Sequence, residues 1–359
     1  MKKNIVTIVG ARPQFVKAAP VSRALSPDFN EILIHTGQHY DYGMSEVFFR
    51  EMEMRSPDFN LGIGGGSHGE QTGRMLIEVE KTLAAVHADC VLVYGDTNST
   101  LAGALAAAKA GIQLAHVESG LRSYNRAMPE EINRVLTDHV SNFLFCPTDV
   151  AVENLAKEGI TDGIFQVGDV MYDALLHNLS LARQRSQVLT QLGLKKGDYA
   201  LATVHRAANT DDPQRLLSLL DAFRSLPTRI VFPVHPRTRG LIERLGWKPA
   251  PNILLLEPLG YFDILIMQEN ANCILTDSGG MQKESYLLGV RCITLREETE
   301  WVETVSAGWN KLVGVDKSAI LDAFTSWHPS SGQLPLYGDG HSSEKIREIL
   351  VEKLQNGKW

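Results

Sequence analysis

The sequence predicts an α/β protein of two Rossmann-like domains, and three observations carry that expectation. The chain has 359 residues, more than one ordinary core and suited to two domains of about 150 residues each. Apolar runs of strand length alternate with helix-length amphipathic stretches almost throughout, the pattern of right-handed crossovers in parallel sheets covered on both faces. The series runs twice. Residues 1–170 and 171–341 are therefore expected to form one sheet each, with the seam near Val167–Tyr172.

In the first half the strand candidates are Asn4–Val9, Glu31–His35, Cys90–Tyr94, Gln113–Val117, Phe143–Cys146 and Ile164–Val167. Helices are expected over Ser99–Ala110, Pro129–Val140 and Ala151–Glu158. The second of these opens on a proline at its first position with two acids in its first turn, as helix starts favour. In the second half the strand candidates are Tyr199–Thr203, Ile230–Pro233, Ile253–Leu256, Cys273–Thr276 and Cys292–Leu295, with helices over Pro213–Ser225 and Met281–Leu288. The charged amphipathic stretch Ser342–Gln355 predicts a terminal helix, within residues 342–359, that packs back on the first domain. No short-period repeat appears, and Gly62–Gly69 is a local glycine-rich loop.

Hydrophobic content of 44% and charged content of 21% are those of a soluble globular chain. A formal charge of -7 argues against a broad nucleic-acid footprint. No run reaches the ~18 to 20 apolar residues of a membrane span. Met1-Lys2-Lys3-Asn4 leads straight into a short apolar segment, without the longer apolar region and cleavage site of a signal peptide, so a cytoplasmic protein is expected. Cys90, Cys146, Cys273 and Cys292 lie far apart in strand-like runs and are expected to be buried small hydrophobes.

Ligands of such sheets bind beyond the carboxyl ends of the strands, which directs attention to the residues just after each strand. Ser278-Gly279-Gly280 offers backbone N–H groups at a helix start, where amide dipoles hold an anion and glycine lets a phosphate approach. Glu284, one turn on, is placed to accept from ribose hydroxyls. The bland alternative is an ordinary turn capped by Ser278 or Asp277. Arg12 and Lys17 frame the loop after the first strand and are cations suited to a diphosphate. Neither GxGxxG nor a Walker A motif is present, so no nicotinamide cofactor is expected. Asp96 and Glu118 follow consecutive strands and should share one crevice, where two carboxylates can divide acid and base roles. Glu130, Glu131, His205 and His235 complete the acid–base candidates. Asp96 has the alternative of capping the helix after it, and Glu118 of ordering its loop. Histidines 35, 39, 68, 116, 205 and 235 show no metal-ligand spacing, so no metal is expected.

The segments GARPQFVKAAPV, GDTNSTLAGALAA, HVESGLRS, MPEEINR, TVHR and LTDSGGMQKE occur in that order over nearly the whole chain. Together they resemble the non-hydrolysing UDP-N-acetylglucosamine 2-epimerase family. The resemblance implies a glycosyltransferase-B-like pair of domains with a UDP-sugar in the interdomain cleft, a homodimer, no metal, no cofactor, and supply of precursors for bacterial surface polysaccharide. It assigns Asp96, Glu118, Glu130 and His205 to catalysis. It assigns Arg12, Lys17, Ser278, Gly279, Gly280 and Glu284 to substrate binding. The family reaction removes the C2 proton as the C1–O bond to UDP breaks, giving a 2-acetamidoglucal; UDP re-adds and C2 is reprotonated on the other face.

Two departures bear on substrate and regulation. Where many family members carry Thr-Glu-Arg-Pro-Glu, this chain has Thr299-Glu300-Trp301-Val302-Glu303. Where allosterically activated members continue Arg-Glu-Asn after the His-Arg pair, this chain has Ala207-Ala208-Asn209, which weakens a second UDP-sugar site although Gln38, His39 and His235 remain. Gln14-Phe15, the Gly64–Gly69 loop and Trp301 resemble the branch acting on UDP-2,3-diacetamido-2,3-dideoxyglucuronate, with Arg74 a candidate for its C6 carboxylate. Both sugars stay open as substrates. A glycosyltransferase and a non-catalytic UDP-sugar sensor are the alternatives from other classes.

Overall fold

The computed structural model describes residues 2–38, 54–330, 332–355 and 357. The chain divides into two compact units, Met1–His177 with Pro335–Trp359, and Asn178–Leu334.

In the first unit the described residues include seven parallel strands, ordered β3-β2-β1-β4-β5-β6-β7. They are β1 Asn4–Val9, β2 Asn30–His35, β3 Phe59–Asn60, β4 Cys90–Tyr94, β5 Gln113–Val117, β6 Phe143–Cys146 and β7 Ile164–Gln166. The helices are α1 Arg12–Leu25, α2 His68–Val86, α3 Asn98–Lys109, α4 Pro129–Val140, α5 Asp149–Lys157 and α6 Val170–Arg185, the last of which continues into the second unit. Every residue of β4 is buried, as expected of a central strand with helices on both faces. Val6, Ile8, Val91 and Val93 form one face of the core with Val79 and Leu83 of α2 and Ala104 and Ala107 of α3.

In the second unit the described residues include six parallel strands, ordered β10-β9-β8-β11-β12-β13. These are β8 Tyr199–Thr203, β9 Arg229–Pro233, β10 Ile253–Leu256, β11 Cys273–Thr276, β12 Cys292–Thr294 and β13 Asn310–Leu312. Its helices are α7 Val188–Leu192, α8 Ala207–Thr210, α9 Pro213–Ser225, α10 Pro236–Arg244, α11 Tyr261–Asn270, α12 Gly279–Leu287, α13 Val302–Ser306 and α14 Lys317–Ser326. Leu216, Leu219, Leu220 and Phe223 of α9 pack on Ile230 and Phe232, and each such side chain contributes about 1.5–3 kcal/mol by leaving water. The chain then returns to the first unit as α15 Ser342–Leu350, which runs on as a π-helical turn Val351–Gln355. Arg347 of α15 donates to Asp28, just after α1, at 2.5 Å.

Each sheet has one topological switch point, where neighbouring strands send their connections in opposite directions along the sheet. It lies between β1 and β4 in the first unit and between β8 and β11 in the second. Open α/β sheets bind ligands in the crevice at such a point. The four cysteines are free and buried as expected; burial pushes the thiols of Cys90, Cys273 and Cys292 up to about 12 and that of Cys146 to about 11. Among the described residues, no helix is long and apolar enough to cross a membrane.

Candidate active site

At the first switch point Gln14 fastens the two crevice walls together. Its carbonyl oxygen accepts the Gly10 and Ala11 amides after β1, and its amide nitrogen donates to the Tyr94 carbonyl and the Thr100 hydroxyl beyond β4. Lys17, one turn further along α1, reaches Glu118 at the end of β5 and forms an ion pair with it. Burial alone would lower the Lys17 ammonium, but Glu118, with Asp96 and Asp169, outweighs burial and raises it above the ordinary lysine value. Glu118 has φ +71°, a left-handed conformation that a side chain adopts at a cost. A Cβ on Gly95 would stand 3.3 Å from the Glu118 carboxylate and 3.4 Å from the Lys17 ammonium, so Asp96, the next residue, belongs to the same cluster. Asp96 itself pairs with Arg134 of α4. It is not a helix cap: Thr97 holds that position and accepts the Thr100 amide. Arg12 opens α1, but its side chain lies outside the described part.

The two adjacent glutamates at the start of α4 differ. Glu131 is buried and accepts the Ser123 amide and hydroxyl and the Tyr124 amide at 2.8–2.9 Å. Glu130 is exposed.

Beneath these residues lies a buried network that the sequence did not single out. His116 of β5 has both ring nitrogens on acceptors, Nδ1 at 2.7 Å from Asp138 Oδ1 and Nε2 at 2.7 Å from the Gly95 carbonyl. The other Asp138 oxygen accepts from the Gly120 amide and from Arg122 at 3.1 and 2.6 Å. Arg122 forks onto Glu158 as well. One carboxylate thus ties down the residue before Asp96 and the loop after Glu118. Burial alone would raise Asp138, but His116 and Arg122 hold its carboxyl below the ordinary range.

At the second switch point the fastening residue is Asp277, fully buried. It accepts the backbone amides of His205 and Arg206 and the side chain of Asn209, at 3.0–3.2 Å. The His205 ring stands beside it, Nδ1 at 3.6 Å from Oδ1, with the side chain 47% exposed. Asp277 therefore orients the β8 loop and does not cap α12. Ser278 takes the N-cap position of α12, and its side chain makes no capping bond. A Cβ on Gly280 would meet nothing nearer than the Ser278 hydroxyl at 4.0 Å, so the chain's own packing does not demand glycine there. At Gly279 a Cβ would overlap the Glu300 carboxylate, which accepts from Arg296 at 2.8 Å and Arg206 at 3.4 Å. Glu284, one turn on, accepts from Gln268 at 2.7 Å and Tyr261 at 3.4 Å. Burial raises its carboxyl above the ordinary range, with those two donors and Lys283 opposing. Trp301, at the position of the family's arginine, carries the Lys283 ammonium 4.7 Å from its ring centre. A cation is thus present beside this loop, supplied from α12.

A family model described as UDP-N-acetylglucosamine 2-epimerase matches residues 23–351. The chain is 54% identical over 353 residues to a Methanococcus maripaludis protein named UDP-N-acetylglucosamine 2-epimerase homolog, covering 97% of this chain and 99% of that one. It is 48% identical over 361 residues to the UDP-2,3-diacetamido-2,3-dideoxy-D-glucuronate 2-epimerase of Pseudomonas aeruginosa, covering 97% and 99%. Among solved structures it is similar to Methanocaldococcus jannaschii UDP-GlcNAc 2-epimerase in complex with UDP-GlcNAc and UDP, with a TM-score of 0.79 and 44% identity over 98% of this chain and 99% of that one. The two parallel-sheet units are thus of the glycosyltransferase-B-like class that the sequence led us to expect.

Proposed function

The chain belongs to the UDP-N-acetylglucosamine 2-epimerase family, and on that premise we propose that it inverts C2 of a UDP-2-acetamido sugar by eliminating and re-adding UDP. The observation that carries this reading is the cluster at the first switch point, where Asp96 and Glu118 end adjacent strands and each holds a cation. A reaction that removes a proton from one face of C2 and returns it to the other needs two proton-transfer groups, each contributing about 10²–10⁴-fold. We assign that work to Asp96, Glu118 and Glu130, with His205 assisting. Loss of UDP puts charge on the departing diphosphate. The N-terminus of α12, with Ser278, Gly279 and Gly280, suits that charge through its free amides, and Glu284 suits the ribose. Arg12 and Lys17 add positive charge, Lys17 also holding Glu118.

The substrate is either UDP-N-acetylglucosamine or UDP-2,3-diacetamido-2,3-dideoxyglucuronate, the sugars in the names of the relatives. A cytoplasmic homodimer supplying surface-polysaccharide precursors completes the reading. Met128, at the N-cap of α4, and Ile132 and Leu136 on it support self-association: they expose an apolar stripe at four-residue spacing, 38%, 48% and 44% exposed.

The test is incubation with each sugar nucleotide in deuterated water. Deuterium at C2 of both epimers is expected; a glycosyltransferase or a sensor would leave C2 unlabelled, and that result would overturn the proposal.

A further inference from the structure

A chain of hydrogen bonds running outward from Asp96 fixes the chemistry of a residue that nothing above assigns. The Asp96 carbonyl can only accept, so the Asn133 group 2.9 Å from it is the amide nitrogen. The second hydrogen of that nitrogen goes to Asn98, whose near atom, at 3.2 Å, is therefore its oxygen. Asn98 then has its own amide nitrogen pointing the other way, 2.8 Å from the Gln71 oxygen and 3.1 Å from His68 Nδ1. Nδ1 of His68 lies 3.1 Å from the Asn98 amide nitrogen and 3.5 Å from the Asn98 oxygen, and that oxygen already accepts from Asn133; the nearer pairing has Nδ1 accepting and the ring hydrogen on Nε2. His68 is exposed at the first position of α2, at the strand-end side of the sheet that also carries Asp96.

Arg74, the cation that the sequence offered for a C6 carboxylate, is committed elsewhere. It donates to the Gly64 and Gly65 carbonyls at 3.4 and 3.1 Å and lies 3.7 Å from Glu70. It pins the glycine-rich loop.

We infer that His68, through a donor at Nε2 oriented by Asn98, is a specificity-determining residue that hydrogen-bonds a carbonyl or carboxylate oxygen borne by the sugar in addition to its C2 acetamido group. The inference rests on the epimerase reading. Two sugar positions offer such an oxygen, a C3 acetamido and a C6 carboxylate.

The experiment compares His68→Asn, which keeps an acceptor near Nδ1 but has nothing at Nε2, with His68→Gln, whose amide nitrogen reaches about as far as Nε2. Each is assayed by C2 deuterium exchange on UDP-N-acetylglucosamine, UDP-2,3-diacetamido-2,3-dideoxyglucose and the corresponding glucuronate. His68→Asn is expected to lose about tenfold to a hundredfold more kcat/KM on an acceptor-bearing sugar than on UDP-N-acetylglucosamine, and His68→Gln to recover most of it. A selective loss on both diacetamido sugars assigns the C3 acetamido oxygen, and one on the glucuronate alone assigns the C6 carboxylate. Equal loss on all three sugars, or none, overturns the proposal. Imidazole nitrogen shifts of ¹⁵N-labelled protein give a second readout: a hydrogen on Nδ1 instead of Nε2 in the wild type also overturns it. Wild-type protein that exchanges C2 of none of the three sugars sinks the epimerase reading itself.

Discussion

Glu131 accepts three hydrogen bonds from Ser123 and Tyr124 and lies 3.2 Å from Arg134, while the side chain of Glu130, one residue earlier, is exposed. Burial alone would raise the Glu131 carboxyl, but the Ser123 and Tyr124 donors and Arg134 hold it below the ordinary range. Sequence makes these glutamates equal; their surroundings separate them. Glu131→Gln is expected to lower stability by about 1.5–3 kcal/mol, because a charged acceptor of several bonds is lost. Glu130→Gln should move stability by less than about 0.5 kcal/mol while slowing turnover about 10²–10⁴-fold. Denaturant melts beside C2 exchange rates check both. Glu284 gives the opposite linkage. Its folded pKa is raised, so the neutral form is favoured on folding, and that contribution is lost as pH rises from the unfolded value through the folded one. Above the unfolded value the ligand-free protein therefore bears a cost at this carboxyl that grows with pH. Glu284→Gln is therefore expected to melt higher than wild type at pH 7, yet to bind UDP at least about tenfold more weakly if the carboxylate accepts ribose hydroxyls. Calorimetry of both properties decides it, and a variant that gains stability without losing UDP affinity would remove Glu284 from the nucleotide site.

Helix α4 shows why part of the candidate site was hidden in the sequence. Its N-cap Met128 and its apolar Ile132 and Leu136 recur at helical spacing and invite burial, yet they are exposed, while Glu131, Asn133, Thr137 and Asp138 face inward. A periodicity argument chooses the wrong face whenever the buried face carries a polar network. The visible signal was the charge supply ahead of Asp138, with His116 in β5 and Arg122 in the loop after it. Asp138→Asn leaves Arg122 and His116 without their shared carboxylate, and breaking a buried pair this way costs about 3–5 kcal/mol. The pH dependence follows from the sign of the shift. A depressed carboxylate contributes stability above its unfolded value, near 3.8 for Asp138, and loses it as pH falls through the lower folded value. The wild-type melting temperature should therefore converge on that of Asp138→Asn below about pH 4, and a constant gap down to pH 2 would refute the assignment. Strands were easier to read. Seven have the bounds expected from sequence, β4 and β11 among them, because a doubly covered strand is one unbroken apolar run. The two-residue β3 and three-residue β13 lie at sheet edges, one pairing Phe59 and Asn60, the other Asn-Lys-Leu, and carry no such run. Helix α12 begins two residues before the expected Met281, since its glycines offer no apolar signal.

At the scale of the whole molecule, both units repeat one device: a side chain that fastens the loops across a switch point, Gln14 in the first and Asp277 in the second. The residues after the strands could be named as candidates because open α/β sheets have their crevice there, whereas partners such as Lys17–Glu118 and Asp96–Arg134 join segments 101 and 38 residues apart, which spacing cannot reveal. The same structure bears on regulation. A second, activating sugar nucleotide would need free polar groups, and most candidates are already engaged. Gln38 accepts the Ser99 amide and hydroxyl at 3.0 and 2.6 Å. His235 caps α10 by accepting the Arg237 amide, and Arg74 holds the glycine-rich loop. His39 lies outside the described residues. Ala207 and Ala208 open α8 with no charge to offer. Lacking the arginine of activated members, such a site would forgo a charge-assisted bond worth roughly 1.5 to 3 kcal/mol, about tenfold to more than a hundredfold in affinity. Kinetics hyperbolic in substrate are therefore expected, with no lag when the reaction starts from the purified product-side sugar nucleotide. Progress curves with and without a trace of UDP-N-acetylglucosamine make the test. A long lag abolished by the addition would mean that Gln38, His39, Arg74 or His235 suffices to hold an activator, and that the alanines do not close the site.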